Sequence, residues 1–247
     1  MRNIQILLEY DGSHYHGWQI QKNAISIQEV VERAIGAITN ERVNLIGSSR
    51  TDSGVHARGQ SANFLTQSRI PIDRFPYAIN SKLPPDIRVI HACERPKDFH
   101  SRYDAVGKRY TYHVLNNAFG SALSYNRVWH VPQKLNIEDM KKAAEYFIGT
   151  HDFTSFRATG SSVQSSTRTI YASKLVYRDA EIILDIHGNG FLYNMVRIIM
   201  GTLVEIGMGK IHYGEIPRII QARDRNMAGI TAPAQGLYLE KVYYKNS

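Results

Sequence analysis

The sequence has few of the features that mark secreted, disulfide-linked or membrane-spanning proteins. Cys93 is the only cysteine among 247 residues, so an intrachain disulfide is impossible and a cysteine-based zinc site is excluded. No apolar run approaches the roughly 18 to 20 residues that a membrane helix needs, and the first residues lack the apolar core of a signal peptide. We therefore expect a cytoplasmic protein that does not cross a membrane.

The charge of the chain is unbalanced towards the positive. It has 30 Lys and Arg against 22 Asp and Glu, which gives a net charge of +8 and a pI near 9.5. Most of this excess falls from Lys108 onward. A basic excess favours a polyanionic partner, with nucleic acid first, although many basic proteins carry only a solvated positive surface. Charge alone does not distinguish RNA from DNA.

Hydrophobic periodicity predicts the order βαββαβ twice along the chain, with one extra helix in the second part. The first part has a strand over 4–9, a helix from 27, extended segments over 43–46 and 60–65, a helix over 72–81 and a strand over 87–92. The second part has a strand over 109–115, a helix over 137–148, strands over 170–177 and 182–187, helices over 191–206 and 216–222, and a strand over 237–244. Ser26 and Asn136 are the expected N-caps of the first helix in each part.

This order predicts an α+β fold of two ferredoxin-like split βαβ halves, each an antiparallel sheet with helices packed on one face. No long linker rich in Pro, Gly or Ser is present. We expect an N-terminal half over 1–105, which carries the Asp52 loop. The C-terminal half over 106–247 carries the Tyr110 strand, the Arg197 helix and most of the basic excess. A serine-rich segment over 158–167 is expected to be a loop that is mobile or faces RNA.

Asp52 lies in a stretch of small residues, two positions after Arg50. The apolar run over 43–46 indicates a buried strand, and the serines and Gly54 that follow indicate a loop, so Asp52 is expected on a loop at a strand end. Asp and Gly are also the residues that turns favour. From this segment alone, Asp52 is either a turn residue or a nucleophile.

Six sequence motifs follow one another along the chain. They are EYDGSHYHGWQ at 9–19, SRTDSGVHA at 49–57, KRYTY at 108–112, HDFTSFR at 151–157, NGFLYNMVR at 189–197 and GLYL at 236–239. Together they closely resemble the tRNA pseudouridine synthase A (TruA) family, whose signature around its aspartate is GRTDAGVHA. Ser49 stands where that family usually has glycine and Ser53 where it usually has alanine. Both serines are small, so the loop is expected to keep its shape.

The resemblance implies an isomerase that converts uridine to pseudouridine at positions 38 to 40, in the anticodon stem-loop of tRNA, without cofactor or metal. It implies that Asp52 is the catalytic aspartate and that Tyr110 contacts the uridine. It also implies that Arg50 and Arg197 are basic partners around them, and that a homodimer shares one tRNA.

The chemistry of the residues is compatible with these roles. Moving the C1′ bond of uracil from N1 to C5 requires breaking a glycosidic bond, and a carboxylate can form and release a covalent bond at carbon. Asp52 attacks either C1′ or C6 of the base, and the sequence leaves both routes open. A nearby arginine favours the ionised carboxylate, for which Arg197 is the candidate. Spacing alone fits an exposed helix arginine equally well.

A paired uridine must leave the stack to reach a carboxylate, and an aromatic ring can receive it. Tyr110 offers a ring and a hydroxyl, although most of the 15 tyrosines are expected to be core or surface residues. Arg50 is expected either to fill the vacated space in the stem or to bind a phosphate near the flipped nucleotide. The alternative for Arg50 is a surface charge. His14 and His16 have no further metal ligand at suitable spacing, so no metal is expected.

Three rival functions stay open at this point. A non-catalytic RNA-binding module suits the fold and the charge, although no RNP1-like string is present. A nucleoside hydrolase or base glycosylase could use the same aspartate and release uracil to water. A pseudouridine synthase could also act on another RNA or on other tRNA positions.

Overall fold

The computed structural model describes residues 1–160 and 164–245, so positions 161–163 of the predicted serine-rich loop lie outside the described residues. The fold is α+β, as predicted. Its strands are β1 Arg2–Tyr10, β2 Ile46–Gly47, β3 His56–Thr66, β4 Ile87–Arg95, β5 Ala105–Leu115, β6 Trp129–His130, β7 Gly149–Asp152, β8 Thr167–Arg178, β9 Glu181–Gly188 and β10 Leu237–Tyr244. Its α-helices are α1 Ile27–Thr39, α2 Phe75–Asn80, α3 Ile137–Glu145, α4 Met195–Gly207 and α5 Ile216–Ala222.

The chain divides into two compact units. Unit 1 contains residues 1–106 and 238–247, and unit 2 contains residues 107–237. The last strand, β10, pairs in parallel with β3, and its residues from Tyr238 onward are grouped with unit 1. The sequence-based division assigned this strand to the C-terminal half. A hydrophobic pattern predicts that a segment is a strand but does not name the strand with which it pairs.

The sheet of unit 1 has the order β4-β1-β3-β10. The short β2 pairs with β3 at Ala62 and Asn63, whereas β10 pairs with β3 at His56 and Ala57. Strand β1 runs antiparallel to both of its neighbours, so that Ile6 lies opposite Ala62 on β3 and opposite Ala92 on β4. Alternate residues of β1 are fully or almost fully buried, namely Ile4, Ile6, Leu8 and Tyr10. This alternation fixes one face of the sheet as the core side.

Local signals define α1 and shorten β2. Ser26 is the N-cap of α1, and its hydroxyl accepts a hydrogen bond from the N–H of Glu29 at 3.3 Å, as the capping pattern predicts. The predicted strand over 43–46 is present only as the two residues of β2. The backbone of Leu45 instead bonds side chains of α1, because its N–H donates to Glu32 and its carbonyl accepts from Gln28. These bonds replace those of a strand ladder.

The sheet of unit 2 has the order β5-β9-β8-β7, all antiparallel, and the short β6 pairs in parallel with the end of β5. Helix α3 packs against β8 and α4. Asn136 caps α3 as predicted, accepting from the N–H of Asp139 at 3.2 Å. The predicted helix over 137–148 ends earlier, at Glu145, and β7 begins at Gly149, whose φ of 115° few other residues adopt.

Helix α4 begins four residues later than the sequence predicts. Asn194 has a left-handed backbone with φ 59°, and the N–H of Met195 closes a turn on the carbonyl of Leu192, so the segment before Met195 is not helical. Most residues of α4 are buried, among them Ile198, Ile199 and Met200. Among the described residues, no helix combines the length and apolar character needed to cross a bilayer.

Candidate active site

Asp52 lies on the loop between β2 and β3, as the sequence predicts. Its neighbours Ser49 and Thr51 are buried, whereas Arg50 is exposed and Asp52 is half-buried. The N–H of Val55 donates to the carbonyl of Asp52 at 3.2 Å and closes a turn. Gly54 occupies the left-handed region in this turn, with φ 78°. The turn interpretation and the nucleophile interpretation are therefore compatible, because the turn fixes the backbone that carries the carboxylate.

Thr51 is held on two sides by residues from the N-terminal segment. Its hydroxyl forms a hydrogen bond of 2.7 Å with the hydroxyl of Tyr10 at the end of β1. Its carbonyl accepts a hydrogen bond of 3.0 Å from the N–H of Trp18. Tyr10 and Trp18 are 3% and 2% exposed, and their rings lie 6.2 Å apart. The residue directly before Asp52 therefore has both its side chain and its carbonyl fixed.

Two glycines of the motif at 9–19 allow close contact with the Asp52 loop. A Cβ on Gly17 would lie 2.6 Å from the carbonyl oxygen of Thr51 and 3.1 Å from the carbonyl carbon of Asp52. A Cβ on Gly12 would lie 2.1 Å from the carbonyl oxygen of Val55. Any larger residue would displace the loop at these points. The motif at 9–19 therefore supports the Asp52 loop from one side.

A buried glutamine supports the start of the same loop. Gln60 on β3 is fully buried, and its amide donates to the carbonyl of Ser49 at 2.7 Å. Its side-chain oxygen accepts from the hydroxyl of Ser48 at 2.7 Å. Ser48 also donates its N–H to the carbonyl of Ser61 at 2.8 Å. A buried glutamine that is hydrogen-bonded through both its amide and its carbonyl oxygen rigidifies the backbone that it contacts.

Tyr110 lies on β5, opposite Ile186 of β9, and is 9% exposed. Its ring packs against Phe191 in a T-shaped arrangement, with the ring centroids 5.1 Å apart and the planes at 81°. Tyr112, two residues on, is fully buried, and its hydroxyl donates to the carbonyl of Pro233 at 2.6 Å. Burial raises the pKa of Tyr112, while the charge of Arg197 acts in the opposite direction. The positive charge of Arg197 therefore acts on the side chain of Tyr112 on β5.

Arg197 on α4 is half-buried and binds the segment that precedes β10. Its Nε donates to the carbonyl of Ala232 at 2.8 Å, and its Nη1 donates to the side chain of Asn194 at 2.7 Å. One turn along the helix, a Cβ on Gly201 would lie 1.9 Å from the carbonyl oxygen of Ile230. The backbone of the segment before β10 therefore lies close against α4 at Gly201. Gly190 has only ordinary contacts, with the side chain of Arg168.

The four predicted site residues divide between the units. Asp52 and Arg50 share one loop of unit 1, and Tyr110 and Arg197 belong to unit 2. Sequence reasoning missed the support given by Tyr10, Trp18 and Gln60, although the first two lie in a motif that it identified. No group of three or more His, Cys, Asp or Glu in residues 1–160 and 164–245 could hold a metal ion, and His14 and His16 are both exposed.

Comparison with known proteins assigns a family to this arrangement. Residues 6–104 and 143–245 match the family model described as tRNA pseudouridine synthase. A protein of Acetivibrio thermocellus named tRNA pseudouridine synthase A is 57% identical over 244 residues, which cover 99% of this chain and 100% of that protein. Proteins of the same name from Thermoanaerobacter sp. and Ruminiclostridium cellulolyticum are each 54% identical, with the same coverage. The chain therefore belongs to the tRNA pseudouridine synthase family.

Proposed function

We propose that the protein converts uridine to pseudouridine at positions 38, 39 and 40, in the anticodon stem-loop of tRNA, with Asp52 as the nucleophile. Membership of the family makes the chain an isomerase that converts uridine to pseudouridine in tRNA. The proposal adds two things to family membership, namely the modified positions in the tRNA and the role of Asp52. The observation that supports the role of Asp52 is its half-buried position on a turn whose flanking residues are buried and hydrogen-bonded. The positions in the tRNA follow from the family resemblance.

A rigid loop suits a nucleophile because reacting atoms must be held within a short distance and in a fixed orientation. Thr51 and Val55 hold the backbone on both sides of Asp52, through bonds to Trp18 and within the turn. Little conformational freedom is then lost when the uridine arrives. The carboxylate forms a bond to C1′ or C6, and the N1–C1′ bond breaks. The base rotates so that C5 bonds to C1′, and the bond to Asp52 breaks again, which regenerates the carboxylate. N1, which has lost its bond to C1′, takes up a proton. Loss of the hydrogen from C5 completes the isomerisation, and no atom is gained or lost overall.

Tyr110, Arg50 and Arg197 complete the proposal. Tyr110 has a ring already packed edge-on by Phe191, and we assign it to contact the flipped uracil. Arg50 is exposed beside the buried Thr51, which suits contact with the stem or a phosphate. Arg197 places a cation in unit 2, where it favours ionised groups. We further propose a cytoplasmic homodimer that shares one tRNA.

The test is release of tritium from tRNA labelled at uridine C5, comparing the parent protein with Asp52→Asn. The asparagine keeps the size of the side chain and removes the nucleophile, so tritium release should stop while tRNA binding stays within about twofold. Asp73→Asn is the matched control, because Asp73 is an exposed aspartate of the same unit, paired only with its neighbour Arg74 among the ion pairs described. Normal release by Asp52→Asn would remove this residue from the mechanism.

The position is tested with tRNAs that retain uridine at only one of positions 38, 39 and 40. Tritium release from each, and none from a tRNA without uridine at all three, is expected. Tritium release from the tRNA that lacks uridine at all three positions would mean that the enzyme acts elsewhere in the tRNA. Free uracil among the products would indicate a base glycosylase. Folded protein that binds tRNA and releases nothing would indicate a binding module.

A further inference from the structure

We propose that Tyr10 is a positioning residue for Asp52 and acts through a hydrogen bond to the side chain of Thr51. The two hydroxyl oxygens lie 2.7 Å apart, and Tyr10 and Thr51 are 3% and 8% exposed. The bond joins the end of β1 to the residue directly before the proposed nucleophile. The proposal rests on the proposed function of Asp52. It adds Tyr10, 41 positions before Thr51 in the sequence, as a residue that sets where the carboxylate of Asp52 lies.

The position of Thr51 is fixed by three contacts of different kinds. Tyr10 holds its hydroxyl, the N–H of Trp18 holds its carbonyl at 3.0 Å, and Gly17 lies against that carbonyl so closely that a Cβ would be 2.6 Å away. The last two fix the backbone. Among the described contacts of Thr51, the bond to Tyr10 is the one that restrains its side chain, and with it the χ1 angle.

The ring of Tyr10 is itself unable to shift. It lies on the buried face of β1, and Trp18 packs 6.2 Å from it with the planes at 33°. Trp18 in turn is confined by Gly47, where a Cβ would lie 2.4 Å from the indole. Because the ring is held by packing, its hydroxyl has a defined position. The hydrogen bond therefore restrains the Asp52 loop relative to β1.

The alternation of exposure along the loop explains why this affects catalysis. Arg50 is exposed, Thr51 is buried and Asp52 is half-buried, so the buried side chain anchors the residues on both sides. If Thr51 loses this restraint and shifts, Arg50 and Asp52 shift with it, because they adjoin Thr51 in the chain. A displacement of about 1 Å at a reacting group can cost about 100-fold in rate. The bond is therefore expected to influence kcat more than tRNA binding.

The test compares the single-turnover rate of saturated enzyme with tRNA affinity in four variants. Tyr10→Phe, Thr51→Val and the double variant should each lose about 10- to 100-fold in rate, with tRNA Kd within about twofold of the parent. The losses should be equal and not additive, because each variant removes the same bond. Thr51→Ser keeps the hydroxyl and should retain a rate within about threefold of the parent.

A matched control separates positioning from a general loss of stability. Thr66 on β3 is another buried threonine of unit 1, and its hydroxyl donates to Glu41 at 2.7 Å. Thr66→Val should lower Tm about as much as Thr51→Val and leave the rate unchanged. The proposal is overturned if Thr66→Val slows the reaction equally, if Thr51→Ser is as slow as Thr51→Val, or if Tyr10→Phe keeps the parent rate.

Failure of this inference is distinguishable from failure of the proposed function. If Asp52→Asn abolishes tritium release and Tyr10→Phe does not alter it, Asp52 is the nucleophile and Tyr10 does not position it. If Asp52→Asn retains activity, the proposed function of Asp52 is wrong whatever the Tyr10 variants do.

Discussion

Arg197 and Ala232 are joined by two hydrogen bonds that run in opposite directions. The Nε of Arg197 donates to the carbonyl of Ala232 at 2.8 Å, and the N–H of Ala232 donates to the carbonyl of Arg197 at 3.1 Å. Ala232 is fully buried. This pair attaches the segment before β10 to the first turns of α4. Arg197 is therefore a half-buried residue that binds a neighbouring segment, and not the exposed helix arginine that its spacing also allowed.

Replacing Arg197 should affect both stability and rate. Arg197→Ala leaves the carbonyl of Ala232 without its donor, which costs on the order of 1 to 3 kcal/mol in the free energy of unfolding. If the cation also supports the ionised nucleophile, the single-turnover rate should fall by about 100-fold or more. Arg197→Lys should recover little of the stability or of the rate. A lysine lacks the planar guanidinium that donates to both Ala232 and Asn194. Denaturation curves and tritium release measure the two effects.

Arg225 provides the control for this experiment. Its guanidinium also binds the segment before β10, through the carbonyl of Ala228 and the hydroxyl of Thr231, both at 3.1 Å. Arg225→Ala should therefore lower stability to a similar degree and leave the rate near that of the parent. Equal losses of rate in the two alanine variants would mean that Arg197 has only a structural role.

Gly201 is expected to be the most sensitive glycine of α4. A Cβ would lie 1.9 Å from the carbonyl oxygen of Ile230, and both partners are backbone, so one must move. Gly201→Ala should lower Tm by several degrees although alanine favours helices. Gly190→Ala is the comparison, because the nearest atom to its Cβ would be 3.6 Å away on the side chain of Arg168. Thermal unfolding that is equally affected by both changes would contradict the close approach.

The elements that depend on local sequence were predictable. Ser26 and Asn136 cap their helices as expected, because a cap involves residues only three positions apart. The start of α4 was not, since Asn194 adopts a left-handed backbone that its residue type permits but does not require. The short β2 also escaped prediction, because the bonds of Leu45 to Gln28 and Glu32 cross from one element to another.

The site, too, was predictable where it depends on a continuous motif and was not predictable where it depends on contacts between distant parts of the sequence. The motif around Asp52 indicates the loop and its carboxylate, and family resemblance supplies the other three residues. The bond between Tyr10 and Thr51 spans 41 positions, and nothing in either residue type predicts it. Contacts of this kind arise from the pairing of the sheet and are visible only once the fold is known.

Tyr110 allows a test of stacking against hydrogen bonding. Tyr110→Phe keeps the ring and its edge contact with Phe191, so the rate should fall less than about tenfold if the ring contacts the uracil. Tyr110→Ala removes the ring and should be at least tenfold slower again. Tyr112→Phe is the control, since it loses a buried hydroxyl bond to Pro233 but is not assigned to the uridine. If Tyr110→Phe is as slow as Tyr110→Ala, the hydroxyl and not the ring is essential.

The basic excess predicts a steep dependence of tRNA binding on salt. Each phosphate neutralised by Lys or Arg releases bound counterions, so the logarithm of the affinity should fall linearly with the logarithm of the salt concentration. Arg168 at the start of β8 is a candidate contact, because its half-buried guanidinium lies beside Gly190 of a family motif and donates only to the backbone, at Ser165 and Thr167, among the bonds described. Burial lowers the pKa of this guanidinium. Partial desolvation strengthens its attraction for an anion.

Arg168→Gln should therefore weaken tRNA binding and reduce the magnitude of the salt slope by about one phosphate contact. Arg74→Gln removes an equal charge from unit 1, where Arg74 is exposed and paired with Asp73 at 3.4 Å, and should change the slope little. Titrations of labelled tRNA at a series of salt concentrations give both slopes. A slope unchanged by Arg168→Gln would exclude Arg168 from the phosphate contacts. An affinity of the parent that is independent of salt would contradict a phosphate-binding surface altogether.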